Sequence, residues 1–307
     1  MVLLCGIPGD GPFELVGDAL DQIGQPYVVL NQRRFQHITV NYALHDDQPE
    51  GEICIGEDIY RLEDFRGIYN RSVGFQTMPE YQALAPDSPL ARHCAGLHTA
   101  LFAWFDISPV RVLNRNFFMS SNASKPYQQL RIARCGFLVP PTLITNVPQE
   151  VLDFKAQRGT LIFKSASGIR SIVRELNSDD EQRLDQIRAC PAMFQQRLEG
   201  TNYRVHVVGD RLFPTKITSG SVDYRYGSKT GGKAALLDTC DLPTEVAEKC
   251  LLLSKNLGLP LAGIDLFLSD DGQWYCFEVN PSPGFSYFEN NTGQAISTAI
   301  AEYLSAS

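Results

Sequence analysis

The sequence predicts an α/β fold with a parallel sheet at its start, changing to mixed α+β with long antiparallel ribbons. Three observations predict it. Buried strand runs and helical periodicity alternate at the beginning of the chain. From residue 160 onward, strand-like runs crowd together with short turns between them. Two of those turns, Gly209-Asp210 and Asp271-Gly272, sit between alternating apolar and polar runs, the signature of a hairpin. The 307 residues suffice for two or three subdomains with a sizeable core, and 44% hydrophobic with 20% charged residues is a globular composition.

Taken in order, residues 2–5 (VLLC) read as a buried strand, Gly6 to Gly11 as a glycine-rich loop, 13–23 as a helix and 27–30 (YVVL) as a second strand. This opens a β-α-β unit. The glycines at 6, 9 and 11 do not form GxGxxG, and the second strand ends in Asn31-Gln32 without an acidic ribose ligand. A dinucleotide site is therefore disfavoured. Short strands are expected near 37–44, 52–55 and 66–71, followed by an aromatic-rich, partly helical stretch to about 110. A helix starts near Ser124 with Pro126 in its first turn, and Gly136 stops it at Cys135. PPTLIT gives a turn and a short strand. The strand-rich part follows: TLIFK, SIVREL, MFQQRL, NYRVHVVG and RLFPTKIT. A helix over 243–257 ends at Gly258 with Pro260 beyond it, then comes LAGIDLFLSDDGQWYCFEVN, and a last helix covers 293–304.

Several classes are disfavoured. A net charge of −8 repels phosphate backbones, so no nucleic-acid partner is expected. The eight cysteines contain no CxxC pair, which argues against zinc and for reduced thiols in a cytoplasmic protein. MVLLCGIPGD lacks a basic region and a long apolar run, so neither a signal peptide nor a membrane partner is expected.

The chemistry gathers in 261–280. With Asp271-Gly272 as a two-residue type I′ loop, Asp270 pairs with Gln273, Leu268 with Tyr275, Leu266 with Phe277 and Asp265 with Glu278. Asn280 then shares the face of Glu278, while Phe277 and Val279 point to the other side. Opposed like charges destabilise a sheet unless something neutralises them. A hard divalent cation does so, and two carboxylates with an amide oxygen suit Mg²⁺ whose remaining positions go to water and nucleotide phosphates. The bland alternative is a solvated face with two exposed acids, which the apolar run LAGIDLFL makes awkward.

Phosphates need cations and backbone donors. Lys164 ends a strand, and the small-residue loop Ser165–Ser171 that follows carries Arg170; GxxxxGK[ST] is absent. Asn202, Arg204 and His206 share one face by alternation, and Arg225 and Lys229 lie in the glycine-ended DYRYGSKTGG. Arg204 and Arg225 suit the clamping of a transferring phosphoryl group. Against these stand plainer readings: Lys164 as a solvated strand end, Arg204 in a structural ion pair, His206 as hydrogen-bonded core.

GIDLF together with FEVNPSPGF resembles the magnesium-binding core of the ATP-grasp superfamily, specifically RimK-like ligases, and the resemblance covers roughly residues 115 to 300. It implies a pre-ATP-grasp α/β domain over 1–115, a central subdomain over 116–196 and an antiparallel C-terminal subdomain over 197–307. It implies ATP and Mg²⁺, with Asp265, Glu278 and Asn280 as metal ligands. Lys125 in NASKPYQQL and Lys164 match phosphate-contacting lysines. FQQRLEG matches the connection whose backbone meets adenine, through Gln196, Arg197 and Leu198. Asn202 falls where an acidic residue usually holds the ribose. Arg204 and Arg225 match arginines that steady the acyl-phosphate and the incoming carboxylate. The loop SASGIRS and the strand end NRSVGF are similar to those of RimK-like enzymes that modify peptides, the graspetide makers. The implied activity is an ATP-dependent carboxylate–amine or carboxylate–hydroxyl ligase acting on a peptide. A free amino acid or small metabolite is the alternative substrate, and a non-catalytic ATP-binding regulator the alternative class. A homodimer is implied by the same resemblance.

Overall fold

A computed structural model of the chain describes residues 1–46, 48–165, 173–218 and 235–306. The first sheet is built from β1 (Val2–Gly6), β2 (Tyr27–Asn31), β6 (Gly67–Asn70) and β7 (Arg111–Leu113), all parallel in the order β2-β1-β6-β7. Parallel strands bury both faces, which is why β1 is apolar throughout rather than alternating. Helix Gly11–Gln22 and the C-terminal helix Ile296–Ser305 cover one face through Val16, Leu20, Ile300 and Leu304. Helix Pro89–Ile107 covers the other through Leu97, Leu101 and Trp104. A Cβ on Gly67 would overlap the Leu304 carbonyl, so the last helix lies directly on the sheet.

Inserted between β2 and β6 is an antiparallel ribbon of β3 (Ile38–His45), β4 (Gln48–Ile55) and β5 (Asp58–Arg61). The first two match the expected strands. The third is an addition to the sequence reading, made by a tight Gly56-Glu57 turn in which Gly56 takes φ +67°.

The second half holds two antiparallel sheets among the described residues. β8 (Thr142–Thr145), β9 (Leu161–Ser165), β10 (Arg174–Glu175) and β11 (Ala192–Gln196) run in the order β10-β9-β11-β8. One face of that sheet packs Leu161 and Phe194 against Val151 of helix Pro148–Arg158 and against Leu184. The larger sheet comprises β12 (Gly200–Val208), β13 (Arg211–Thr218), β14 (Leu236–Thr239), β15 (Leu261–Ser269) and β16 (Trp274–Asn280), ordered β14-β13-β12-β15-β16. The β12–β13 turn is Gly209-Asp210, as the sequence predicts. Helices Lys125–Arg134 and Thr244–Leu257 cover one face, packing Ile132, Cys250 and Leu253 on Val205, Val207, Ile264, Leu266, Cys276 and Val279. By alternation, Asn202, Arg204, His206 and Asp265 occupy the other face.

β16 ends this sheet, and an open edge leaves backbone groups to satisfy. Side-chain amides do it. Gln128 accepts from Val279 N at 2.9 Å and donates to Val279 O at 2.8 Å, as a neighbouring strand would. Asn114 donates to Leu261 O and Pro281 O, both at 2.6 Å, and accepts from Leu261 N at 3.1 Å. Cys276 N donates to Leu138 O at 2.9 Å. Gln128 and Asn114 are buried, so nothing else replaces these bonds. Gln128→Leu is expected to leave both Val279 groups unpaired at about 1–3 kcal/mol each, a loss that denaturant unfolding of the variant reads directly.

Candidate active site

The β15–β16 hairpin brings Asp265 opposite Glu278, the pairing the sequence predicts, but by a different route. The connecting loop is not a two-residue type I′ turn. Ser269 N donates to Gln273 O at 3.0 Å and Gly272 N to Ser269 O at 2.8 Å, leaving Asp270, Asp271 and Gly272 as the loop, with Gly272 at φ +81°. Three-residue hairpin loops take this form, with glycine in the left-handed position. The Ser269 hydroxyl reinforces it, bonding the Asp271 carboxylate and accepting from Gln273 N. The extra loop residue shifts the register, so Leu268 pairs with Trp274, Phe267 with Tyr275 and Leu266 with Cys276. A bulge between Asp265 and Leu266 then absorbs Phe277 and restores the Asp265–Glu278 and Gly263–Asn280 pairs.

The bulge also corrects the expected orientation of Phe277. Cys276 and Val279, three positions apart, both enter the core. Phe277 instead lies beside Phe267, ring centroids 5.2 Å apart, and Phe267 shares the face of Asp265 by alternation. An aromatic pair thus borders the carboxylates. Behind them, the Cys276 thiol is held far above its usual range by burial, then by the Cys250 thiol and the two carboxylates, so it stays protonated.

An arginine also offsets the charge of this acidic pair, a contact the alternation of the strands alone does not reveal. Arg204 is opposite Asp265 on β12, and its Nη1 lies 2.5 Å from Asp265 Oδ1. The guanidinium is buried and rests on Gly263, where any Cβ would overlap it; its Cζ is 5.9 Å from the Phe288 ring. The glycine of GIDLF is therefore a seat for Arg204. His206 follows on the same face, fully buried, edge-on to Phe288 at 4.9 Å, with neither ring nitrogen hydrogen-bonded. Burial, and then the Arg204 charge, drive its pKa well below 6.5, so it is a neutral ring.

The donor set still fits Mg²⁺. Two carboxylates and the Asn280 carbonyl oxygen are hard ligands on one face, and the Asn280 Oδ1 is oriented by Ser282 N at 2.9 Å. No group of three or more His, Cys, Asp or Glu side chains suited to a metal occurs among the described residues.

The remaining predicted residues lie on several elements. Lys125 opens helix Lys125–Arg134, with the Ser124 hydroxyl accepting from Tyr127 N at its start. Lys164 lies on β9 opposite Met193, on the face of that sheet away from Phe163 and Phe194. Gln196 N and Arg197 N already donate to Pro141 O and Thr160 O, at 3.0 and 2.8 Å. These two amides are engaged within the structure, so a backbone contact of Gln196 or Arg197 with a ligand would run through the carbonyls. Pro141 has no N–H to return to the Gln196 carbonyl. The Arg197 side chain pairs with Glu175 and Glu199. Asn202 sits between Ile217 and Phe267, two positions from Arg204. Arg170, Arg225 and Lys229 lie outside the described residues.

Three contacts escaped the sequence reading. Gln128 and Asn114 hold the hairpin edge, and Arg71, in NRSVGF, reaches the turn after Asn280, with Nη1 3.1 Å from both Ser282 O and Pro283 O. Of these, the sequence singles out only the arginine-bearing strand end.

Comparison with known proteins identifies the family of the domain. Residues 132–304 match the RimK-like ATP-grasp domain. A probable alpha-L-glutamate ligase of Vibrio atlanticus is 25% identical over 240 residues, covering 75% of this chain and 78% of the relative. A RiPP-associated ATP-grasp ligase of Chryseobacterium gregarium, in complex with ADP and a leader and core peptide, superposes with a TM-score of 0.83 at 21% identity, over 99% of this chain and 96% of that one. The ATP-grasp ligase PsnB, complexed with minimal precursor, Mg and ADP, gives 0.78 at 25% identity over 99% and 96%. No described helix is long and apolar enough to cross a membrane.

The neutral His206 gives a pH signature. Its folded pKa lies below 6.5 and its unfolded pKa near ~6.5, so below that pH the unfolded chain binds a proton the folded one refuses. Its stability contribution is complete above ~6.5 and declines as pH falls, with a slope of up to about 1.4 kcal/mol per pH unit. His98, also lowered by burial, adds to that slope. His206→Leu is expected to flatten the decline by one histidine's share when guanidinium unfolding is compared at about pH 5 and pH 7.5.

Proposed function

This chain belongs to the RimK-like ATP-grasp family, and from that premise we propose that it activates a carboxylate as an acyl-phosphate and joins it to an amine or hydroxyl of a peptide. It is an ATP- and Mg²⁺-dependent ligase that forms an amide or ester bond and releases ADP and phosphate. The observation that carries the assignment of residues is the Asp265–Glu278 pair with Asn280 beside it and Arg204 on Asp265.

In this reading Asp265, Glu278 and Asn280 hold Mg²⁺, which supplies charge neutralisation at the phosphates. Lys125, Lys164 and Arg170 face the phosphate oxygens. Adenine is met by the Gln196 carbonyl and the Leu198 amide, since the amides of Gln196 and Arg197 are taken within the sheet. Asn202 offers the ribose an amide instead of a carboxylate. A substrate carboxylate oxygen attacks the γ-phosphorus and ADP leaves; Arg204 and Arg225 offset the negative charge spreading over the transferred group. The amine or hydroxyl then attacks the acyl carbon and phosphate departs. Positioning does the catalytic work, and no protein nucleophile is needed. The division into 1–115, 116–196 and 197–307 belongs to the same proposal, with the qualification that helix Ile296–Ser305 returns to pack on the first sheet.

A peptide substrate is favoured because likeness to ligases solved with leader or precursor peptides runs over nearly the whole chain, first domain included. The alpha-L-glutamate ligase relatives support a free amino acid as the second reading.

Incubation of candidate peptides and acids with Mg·ATP, followed by mass measurement, is expected to show loss of water from a peptide, and hydroxylamine is expected to trap the activated acid as a hydroxamate. Asp265→Asn with Glu278→Gln is expected to lower substrate-dependent ADP release by on the order of 10²–10³-fold or more. Undiminished ADP release in that double variant would remove the site assignment.

A further inference from the structure

The glycine-rich loop Gly6–Gly11 and the strand end NRSVGF belong to different parts of the first domain, yet they meet at the edge of the proposed cation site. Arg71, with its side chain 13% exposed, bonds Asp10 in two places, Nε to Oδ2 at 2.7 Å and Nη2 to Oδ1 at 3.2 Å. Its third nitrogen, Nη1, donates to Ser282 Oγ at 2.8 Å and to the carbonyls of Ser282 and Pro283, each at 3.1 Å. Ser282 N in turn donates to Asn280 Oδ1 at 2.9 Å.

We propose that Arg71 is a positioning residue for the cation site: a strut by which the first sheet fixes the turn that orients Asn280. This rests on the reading of Asp265, Glu278 and Asn280 as cation ligands. The sequence of the turn makes an outside donor necessary. Pro281 and Pro283 have no N–H, so within Pro281–Pro283 only Ser282 can donate from the backbone, and that donor is spent on Asn280. Arg71 supplies the donors the turn lacks. An amide oxygen has two lone pairs; the Ser282 bond fills one and leaves the other for a cation. If the turn relaxes, the oxygen is no longer held in the direction of Glu278 and Asp265.

The glycines of the first loop find their reason here rather than in nucleotide binding. A Cβ on Gly6 would lie 3.0 Å from both Arg71 Cβ and the Phe13 ring, and one on Gly11 would lie 2.8 Å from Ser286 Oγ. A side chain at Gly6 would crowd Arg71 and Phe13, and one at Gly11 would displace the Ser286 hydroxyl. Asp10 neutralises the guanidinium, so the strut adds no net charge beside the site.

Electron paramagnetic resonance titration of Mn²⁺ into the ADP-saturated full chain tests this. Arg71→Met is expected to weaken Mn²⁺ binding by about 10–100-fold, the range for loss of a residue that orients a metal ligand. Arg71→Lys is expected to recover part of it, and Asp10→Asn to shift in the same direction by less. Tyr69→Phe serves as the control for disturbing the same strand, since the Tyr69 hydroxyl is buried without a hydrogen-bond partner. Equal Mn²⁺ affinity in wild type and Arg71→Met overturns the strut while leaving the ligase reading intact. No Mn²⁺ site in the wild type overturns the cation reading itself. If Arg71→Met does not fold, Asp10→Asn and Ser282→Ala decide: unchanged affinity in both overturns the proposal.

Discussion

Two carboxylates facing each other across adjacent strands are the constraint around which this half of the molecule is arranged. Asp265 and Glu278 repel, and the sheet tolerates them because Arg204, one strand away, places its guanidinium on Asp265. That placement costs the fold a side chain at Gly263, since the guanidinium occupies the space a Cβ would need. It also brings Phe288 from helix Ser286–Thr292 over the arginine, and a neutral His206 beside it. In the proposed reading, the groups that would meet a cation and phosphates are already fixed by strand pairing.

The hairpin bearing those acids is held from outside by polar side chains directed at its backbone. Gln128 comes from the helix that Lys125 opens, Asn114 from the segment after β7, and Arg71 from the end of β6. Each addresses carbonyls or amides that an edge strand and a proline-rich turn leave open. The same bonds that complete the sheet thus tie the first domain and the central region to the proposed ligands. Stability and site geometry share these contacts, so a change in Gln128 or Arg71 acts on both.

Much of the fold was legible in the sequence. Alternation and glycine or proline punctuation located β1, β2, the helix at Lys125–Arg134, the β12–β13 hairpin and the helix ended by Gly258 in its left-handed conformation. The pairing of Asp265 with Glu278 was also legible, though the assumed path was wrong twice. The loop has one residue more than Asp271-Gly272 suggests, and the bulge at Phe277 takes one residue back. Turn chemistry at Ser269 decides the first, through a hydroxyl bond no propensity encodes; the packing of Cys276 and Val279 into one core decides the second. That the amides of Gln196 and Arg197 are bonded to Pro141 O and Thr160 O was not legible, because those bonds depend on strand register.

By itself, the sequence determined which groups exist and which share a strand face, because a period of two follows from backbone geometry alone. That was enough to place two acids and an amide together and to name the chemistry they suit. Only the tertiary structure decided what neutralises the acids and what holds them. Arg204 meets Asp265 across a separation of 61 residues, and Arg71 meets Ser282 across 211. Such contacts depend on how whole sheets dock, a property of summed packing that no local pattern of residues carries.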